Sequence, residues 1–375
     1  MNWEVIANGK IVESGTIDTI EALPQAKVAL EIPFKTTFSK GVEYFLNVSA
    51  VLKSDEPLLK ADHVLAYEQF LLQEAKIQTP EKATEALSYK ITDDIVSVNG
   101  KNFDITFNKK TGELTDYKFK GKSLLESGPQ VNFWRAPVDN DYGAQTQNKF
   151  KIWKDAVTTS TVQTSVKNVS NNEVEITFTR TILNGDAQLI QTFLVDGNGA
   201  VKIKNDLKAI KGKHPNLFKF GNKLVLPESY KNITFYGKGP FEAYTDRQHA
   251  AKVGLYRQTI EEQYFPYIRP QENGNKKDIR WATITKQDGS GLQFLSEIPF
   301  HISALNYSED DLSSGDKRTQ KHAGELDPRK EVFVNIDGFQ QGLGSINSWG
   351  RLPMEQYRLL YKSYSYSYWM LPVVK

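Results

Sequence analysis

SYSYSYW, residues 363–369, decides the fold class: Tyr364, Tyr366 and Tyr368 fall on one face of an extended chain, and Ser363, Ser365 and Ser367 on the other. Successive side chains of a strand point to opposite sides, so a period of two marks a strand with one packed face. The same alternation runs through EVEITFTRTI (173–182), QLIQTFLVD (188–196) and WATITK (281–286). Turn signals separate these runs at Asn99-Gly100, KKTG (109–112), Asn171-Asn172, NGD (184–186), DGNG (196–199) and DGSG (288–291). Glycine, asparagine and aspartate tolerate the backbone angles of tight turns, so the pattern is that of an antiparallel, all-β protein. KFKIWKDA (149–156) alone reads as a helix.

Toward the N-terminus, WEVIANGKIVE (3–13) reads as a hairpin around Asn8-Gly9, with further strands at VALEIPF (28–34) and EYFLNVSAVL (43–52). Residues 1–74 are expected to form a small immunoglobulin-like β-sandwich. EAKIQTPEKATEALS (74–88) is polar and contains Pro80, which places a linker at residues 75–88. Residues 89–375 hold more strands than a seven-stranded sandwich requires, which favours one large, many-stranded domain.

Composition excludes several classes. Of 375 residues, 39% are hydrophobic and 25% charged, which argues against a disordered or fibrous chain. A net charge of +2 argues against a nucleic-acid partner. No run approaches eighteen apolar residues, so neither a membrane-spanning helix nor a membrane partner is expected. Zero cysteines remove thiolate chemistry and leave the compartment open between cytoplasm and periplasm. The opening residues MNWEVIANGK carry no signal peptide, and Met1 abuts strand-like sequence, so the chain reads as part of something longer.

Motifs for catalysis are sparse. The five histidines, His63, His214, His249, His301 and His322, lack metal-ligand spacing, and no metal site is expected. There is no G-x-S-x-G, and Pro240 and Phe241 follow the glycines of YGKGPFEAY where a phosphate-binding helix would begin. Glycosidic chemistry needs two facing carboxyl groups, but 45 acidic residues are too many for spacing to select a pair. Four aperiodic segments join aromatic rings to amides and charges: FWRAPVDNDYG (133–143), YGKGPFEAYTDR (236–247), YFPYIRPQENGNKKDIRW (264–281) and NIDGFQQGLGSINSWG (335–350). That mixture suits sugars, which present apolar C–H faces and a fringe of hydroxyls. Turn capping and backbone satisfaction account for the same residues, and on the residues alone they are the favoured explanation.

In this order and spacing, NFWRAPVDNDYG, YGKGPFEAYTDR, YIRPQENGN followed by RW, and NIDGFQQGLGSINSW closely resemble the C-terminal region of bacterial β-galactosidases of the family-two glycoside hydrolase type. AYEQFLL (66–72) is similar to the immunoglobulin-like domain that precedes that region. The resemblance implies that the larger domain is a galactose-mutarotase-like β-supersandwich. It also implies that the catalytic glutamates stand in a (β/α)₈ barrel, an alternation of strand and helix this sequence lacks. No catalytic residue is therefore expected here. Trp349 is expected to contact a galactoside, with Asn347 and Ser348 beside it. Arg135, Asp139, Asn140, Asp141 and Gly143 are expected to form the rim and brace of the active site, Gly143 being mobile. The implied partners are the barrel domain of the parent chain or a separate large subunit, and copies of the parent in a homo-oligomer. No cofactor is expected in this stretch, any Mg and Na of the parent lying outside it. The competing readings are a stand-alone carbohydrate-binding module and, on fold likeness alone, an aldose 1-epimerase.

Overall fold

The computed structural model describes all residues except 76–78, 159, 316–320, 345, 348 and 375. The chain divides into two compact units, Met1–Ile77 with Lys252–Leu255, and Gln78–Ala251 with Tyr256–Lys375. Both are β-structures, as the alternation implies.

The first unit holds a four-stranded antiparallel sheet in the order Lys10–Thr16, Asn2–Ala7, Tyr44–Val51, Val64–Gln73. Asn8 and Gly9 turn the first hairpin at φ 45° and 83°, the positive values that a tight turn needs. Trp3, Val5, Tyr44 and Leu46 form its core. The stretch 28–34, expected as a strand, joins no ladder. Its Ile32 and Phe34 still pack on that core, because burial rewards the apolar side chains while Pro33 between them has no N–H to give a sheet partner.

The second unit is built from a twelve-stranded and a five-stranded antiparallel sheet. The main path of the larger runs Ser127–Asn132, Lys219–Leu226, Val332–Gln340, Gly291–Leu305, Tyr364–Val373, Val201–Ala209, Ala187–Asp196, Glu173–Ile182, Val162–Ser170. Inward residues of the small sheet, among them Val96, Phe107 and Tyr117, share one core with Phe178, Phe193, Leu224 and Val334 of the large one. The tyrosine stripe belongs to this packing: Tyr366 meets Phe220 at 5.2 Å, Tyr364 meets Phe339 at 4.9 Å, and the Tyr368 hydroxyl donates to Asn222 at 3.1 Å.

The helix expected at 149–156 is displaced. Helices occupy Asp139–Ala144 and Thr146–Lys149, and only a 3₁₀ turn, Lys151–Trp153, falls in the expected stretch. Phe150, Trp153 and Ala156 are the buried positions, a spacing of three that matches a 3₁₀ repeat and not an α-helical one. The segment around Asp139–Gly143, expected as an aperiodic rim loop, is the helical part, with Asp139 and Asp141 in its first turn where the helix dipole favours negative charge.

Candidate functional site

The aromatics of FWRAPVDNDYG do not face solvent. Phe133 stacks on Phe220 at 5.4 Å and Trp134 meets Phe218 edge-on at 4.9 Å, both deep in the core. Arg135 lies over the same Phe218 ring, 4.4 Å from its centre, and pairs with Asp141 at 2.6 and 3.3 Å, both side chains almost fully buried. Asp141 also accepts from the Val138 N–H at 2.8 Å and the Thr146 hydroxyl at 2.9 Å. Burying a carboxylate is costly without this many donors, and together they tie Asp141 to the segments beneath the short helix.

On the outer side of that helix, Asp139 accepts from Arg269 Nε at 2.9 Å, and Arg269 continues to Ser314 Oγ at 2.9 Å. Asn140 Nδ2 donates to the Gly344 carbonyl at 2.5 Å. Asp246 accepts from the N–H groups of Leu343 and Gly344 at 3.0 and 2.9 Å. Gly350, at φ 99°, lies so close to Gly143 that a β-carbon on it would stand 2.4 Å from the Gly143 carbonyl oxygen. These contacts hold Leu343 and Gly344 before Trp349 and set Gly350 against Gly143 after it, and Trp349 itself is 89% exposed. Asn347 Oδ1 accepts from the Trp349 N–H at 2.9 Å, which orders the turn locally. A hollow of about 200 Å³ lies between Asp139, Asn140, Asp246, Tyr267 and Gly344.

The outward face of the large sheet is also polar. Register sets Gln130 beside Lys223, Lys223 beside Asn335, and Asn335 beside Ser303, one rank across four strands. The next rank is Asn132, Gly221, Asp337 and His301. Lys219 Nζ gathers Glu309 at 3.0 Å, Asn335 at 2.9 Å and Asp337 at 3.6 Å. Against burial, which favours loss of its proton, Asp337 and Glu309 hold this ammonium above its ordinary range. Burial pushes the Asp337 carboxyl up to about 6 and the Glu272 carboxyl up to about 7, opposed in both cases by Lys219. Burial also pushes His301 down to about 3, so its imidazole is neutral at physiological pH.

Arg135, Asp139, Asn140, Asp141, Gly143, Asn347 and Trp349 thus belong to one connected region, while Ser348 lies outside the described residues. Within it, Arg135 braces Asp141, and Asp139 takes Arg269 instead. Gly143 is not in a loop but is an exposed residue of the short helix. Sequence reading missed Asp246, Arg269, Glu272 and Asp337, although each sits in one of the four aperiodic segments. Lys219 and Glu309 carried no signal: Lys219 alternates with apolar residues and Glu309 lies in the polar run NYSEDDLSS (306–314), and both patterns read as solvent-facing.

Over residues 99–370 the chain matches the family model described as the β-galactosidase small chain, and over residues 1–73 that of β-galactosidase domain 4. It is similar to a β-galactosidase of Priestia megaterium, 31% identical over 368 residues, covering 97% of this chain and 35% of that protein. It is similar as well to a β-galactosidase of Pseudoalteromonas haloplanktis, 28% identical over 383 residues, covering 97% of this chain and 36% of that protein. The chain therefore spans about a third of the length of these curated relatives. Among solved structures, a galactose mutarotase related enzyme from Lactobacillus acidophilus superposes with a TM-score of 0.45 at 7% identity, covering 75% of this chain and 97% of that one. With a family model matched over most of its length, the chain belongs to the β-galactosidase small-chain family.

Proposed function

We propose that this chain is the non-catalytic C-terminal part of a β-galactosidase and that it completes the sugar pocket of a catalytic domain located elsewhere in the parent. The observation that carries this reading is the Trp349 ring, 89% exposed on a turn that Asn140 and Asp246 hold in place. Exposure of a tryptophan on a fastened turn is what a stacking surface needs, because the ring keeps its apolar face available and little freedom is lost on binding. Asn347 and Ser348 flank the sugar in this reading, and Asp139, Arg269 and Asn140 keep the rim in shape. Its partners are the barrel of the parent chain or a large subunit, with copies of the parent completing a homo-oligomer. No cofactor is assigned to this chain, and any Mg or Na of the parent is bound outside it.

In the full parent enzyme, Trp349→Ala is expected to raise KM for aryl β-galactosides about tenfold, as loss of one sugar–aromatic contact of about 1 kcal/mol or somewhat more implies. The isolated chain is expected to show no hydrolysis of the same substrates. Unchanged KM in the variant, or turnover by the purified isolated chain, would sink the proposal. The same exposed ring supports a second reading, a self-sufficient carbohydrate-binding module. Galactose binding by the isolated chain that disappears with Trp349→Ala would favour it. For an aldose 1-epimerase, polarimetry on fresh α-galactose is the check, and no acceleration is expected.

A further inference from the structure

A cavity of about 350 Å³ opens over the outward face of the large sheet. Strand register builds its base: the rank Gln130, Lys223, Asn335, Ser303 lies next to a second rank in which Val225 pairs with Phe333 and Phe333 with Leu305. Hydrogen-bonding groups and an apolar strip therefore lie two residues apart on one surface, as the pleat dictates. Two carboxyl groups, Glu272 and Glu309, complete the wall. Glu309 Oε1 accepts from Lys219 at 3.0 Å and Asn132 at 2.6 Å. Glu272, only 8% exposed, accepts a single long bond from the Tyr244 hydroxyl at 3.4 Å. Among the described residues nothing donates to the second oxygen of either group, so both acceptors are left for whatever enters. An acceptor that faces the cavity with no protein donor can take one from a ligand that enters.

The charges narrow the ligand. Glu272, Glu309 and Asp310 line the cavity, Glu309 paired with Lys219 and Asp310 with Lys154, each at 3.0 Å, and Arg329, which also reaches it, is held by Asp311 at 2.6 and 2.8 Å. An anion would meet carboxylates with Lys223 as the one exposed lining cation whose ammonium is not drawn into an ion pair among the described residues. A hydroxylated ring suits the surface better: its O–H groups donate to Glu272 and Glu309, its oxygens accept from Lys223 and Gln130, and its C–H face covers Phe333 and Leu305. The volume is at the small end for ligand pockets, about 300 to 1,000 Å³, and corresponds to one ring and not a chain.

We propose that this cavity is a second carbohydrate site, for one neutral monosaccharide, separate from the rim that presents Trp349. Glu272 also borders the smaller hollow beside Asp139 and Asn140, so it is the partition between the two.

Saturation-transfer NMR and isothermal titration of the whole chain with D-galactose, D-glucose and D-galacturonate test this. Saturable binding of both neutral sugars is expected, with galacturonate at least tenfold weaker, and Trp349→Ala should leave it unchanged. Glu309→Gln and the exposed lip variant Lys223→Ala are each expected to weaken it about fivefold, the effect of one lost hydrogen bond to a charged group. Thermal melts establish that both variants are folded, and Lys223→Ala serves if Glu309→Gln is not. Absence of saturable binding, equal binding of galacturonate, or indifference to both cavity variants overturns the site. Binding that vanishes in Trp349→Ala also overturns it, while leaving the rim reading intact.

Discussion

Asn140 and Gly344 are tied side chain to main chain, the carboxamide donating to the carbonyl at 2.5 Å across 204 residues of sequence. On the same turn Asp246 receives the N–H groups of Leu343 and Gly344. The backbone at Leu343 and Gly344, just ahead of Trp349, is thus held by side chains from two other segments.

Removing the acceptor should loosen that turn without unfolding the domain. Asp246→Ala deletes two charge-assisted bonds, each worth about 1.5 to 3 kcal/mol. Amide hydrogen exchange at Leu343 and Gly344 is expected to accelerate at least tenfold, with exchange in the strand Val332–Gln340 little changed. Unaltered exchange at both amides would show that the turn is held by something else.

Arg135 and Asp141 should behave as a buried pair. Arg135→Met or Asp141→Ala leaves one charge unpaired in the core, and urea denaturation should record a loss of about 3 to 5 kcal/mol for each. The double variant should cost clearly less than the sum of the singles. Strict additivity would contradict the pairing seen at 2.6 Å.

Gly221 is required by its neighbour across the ladder. A β-carbon there would stand 1.7 Å from Asp337 Oδ1 and 2.6 Å from its Cγ. Gly221→Ala is expected to destabilise by about 1 to 3 kcal/mol through overpacking. The penalty should shrink in an Asp337→Ala background, where the clashing carboxylate is gone. An equal penalty in both backgrounds would place the strain elsewhere.

Stability should fall as pH rises through neutrality. Burial pushes the Glu272 carboxyl from 4.5 up to about 7, so the folded protein keeps a proton that the unfolded chain has released. That contribution is complete below pH 4.5 and is lost as pH passes 7, and the shift corresponds to roughly 3 kcal/mol. Asp337, raised from 3.8 to about 6, acts with the same sign over its own lower window. Denaturation of the wild type and Glu272→Gln at pH 4 and pH 8 should show the variant losing less on going to pH 8. Parallel losses would mean Glu272 does not carry the dependence.

Much of this was legible in the residues. The period of two in SYSYSYW and EVEITFTRTI, with Asn-Gly and Asp-Gly turns between, was sufficient for an all-β chain, because pleat and turn geometry are local. The four aperiodic segments hold Asn140, Asp246 and Gly344, which meet in the structure, because side chains that fit neither period are free to make contacts outside their own element. Local pattern did not reveal that Phe133 and Trp134 are core, that 28–34 packs without pairing, or that Asp141 and not Asp139 takes Arg135. Each of those depends on which partner comes within reach after folding.

By itself, the sequence determined strand character, turn positions and family, all carried by short-range spacing and residue type. Tertiary structure alone decided where the charges go. Lys219, Asp337 and Glu309 come from three separate stretches and meet only because antiparallel register sets the strands Lys219–Leu226 and Val332–Gln340 side by side. Burial then moves the Glu272 and Asp337 carboxyls upward. Proximity across a sheet and removal from water are properties of the assembled fold, and no local window of residues encodes either one.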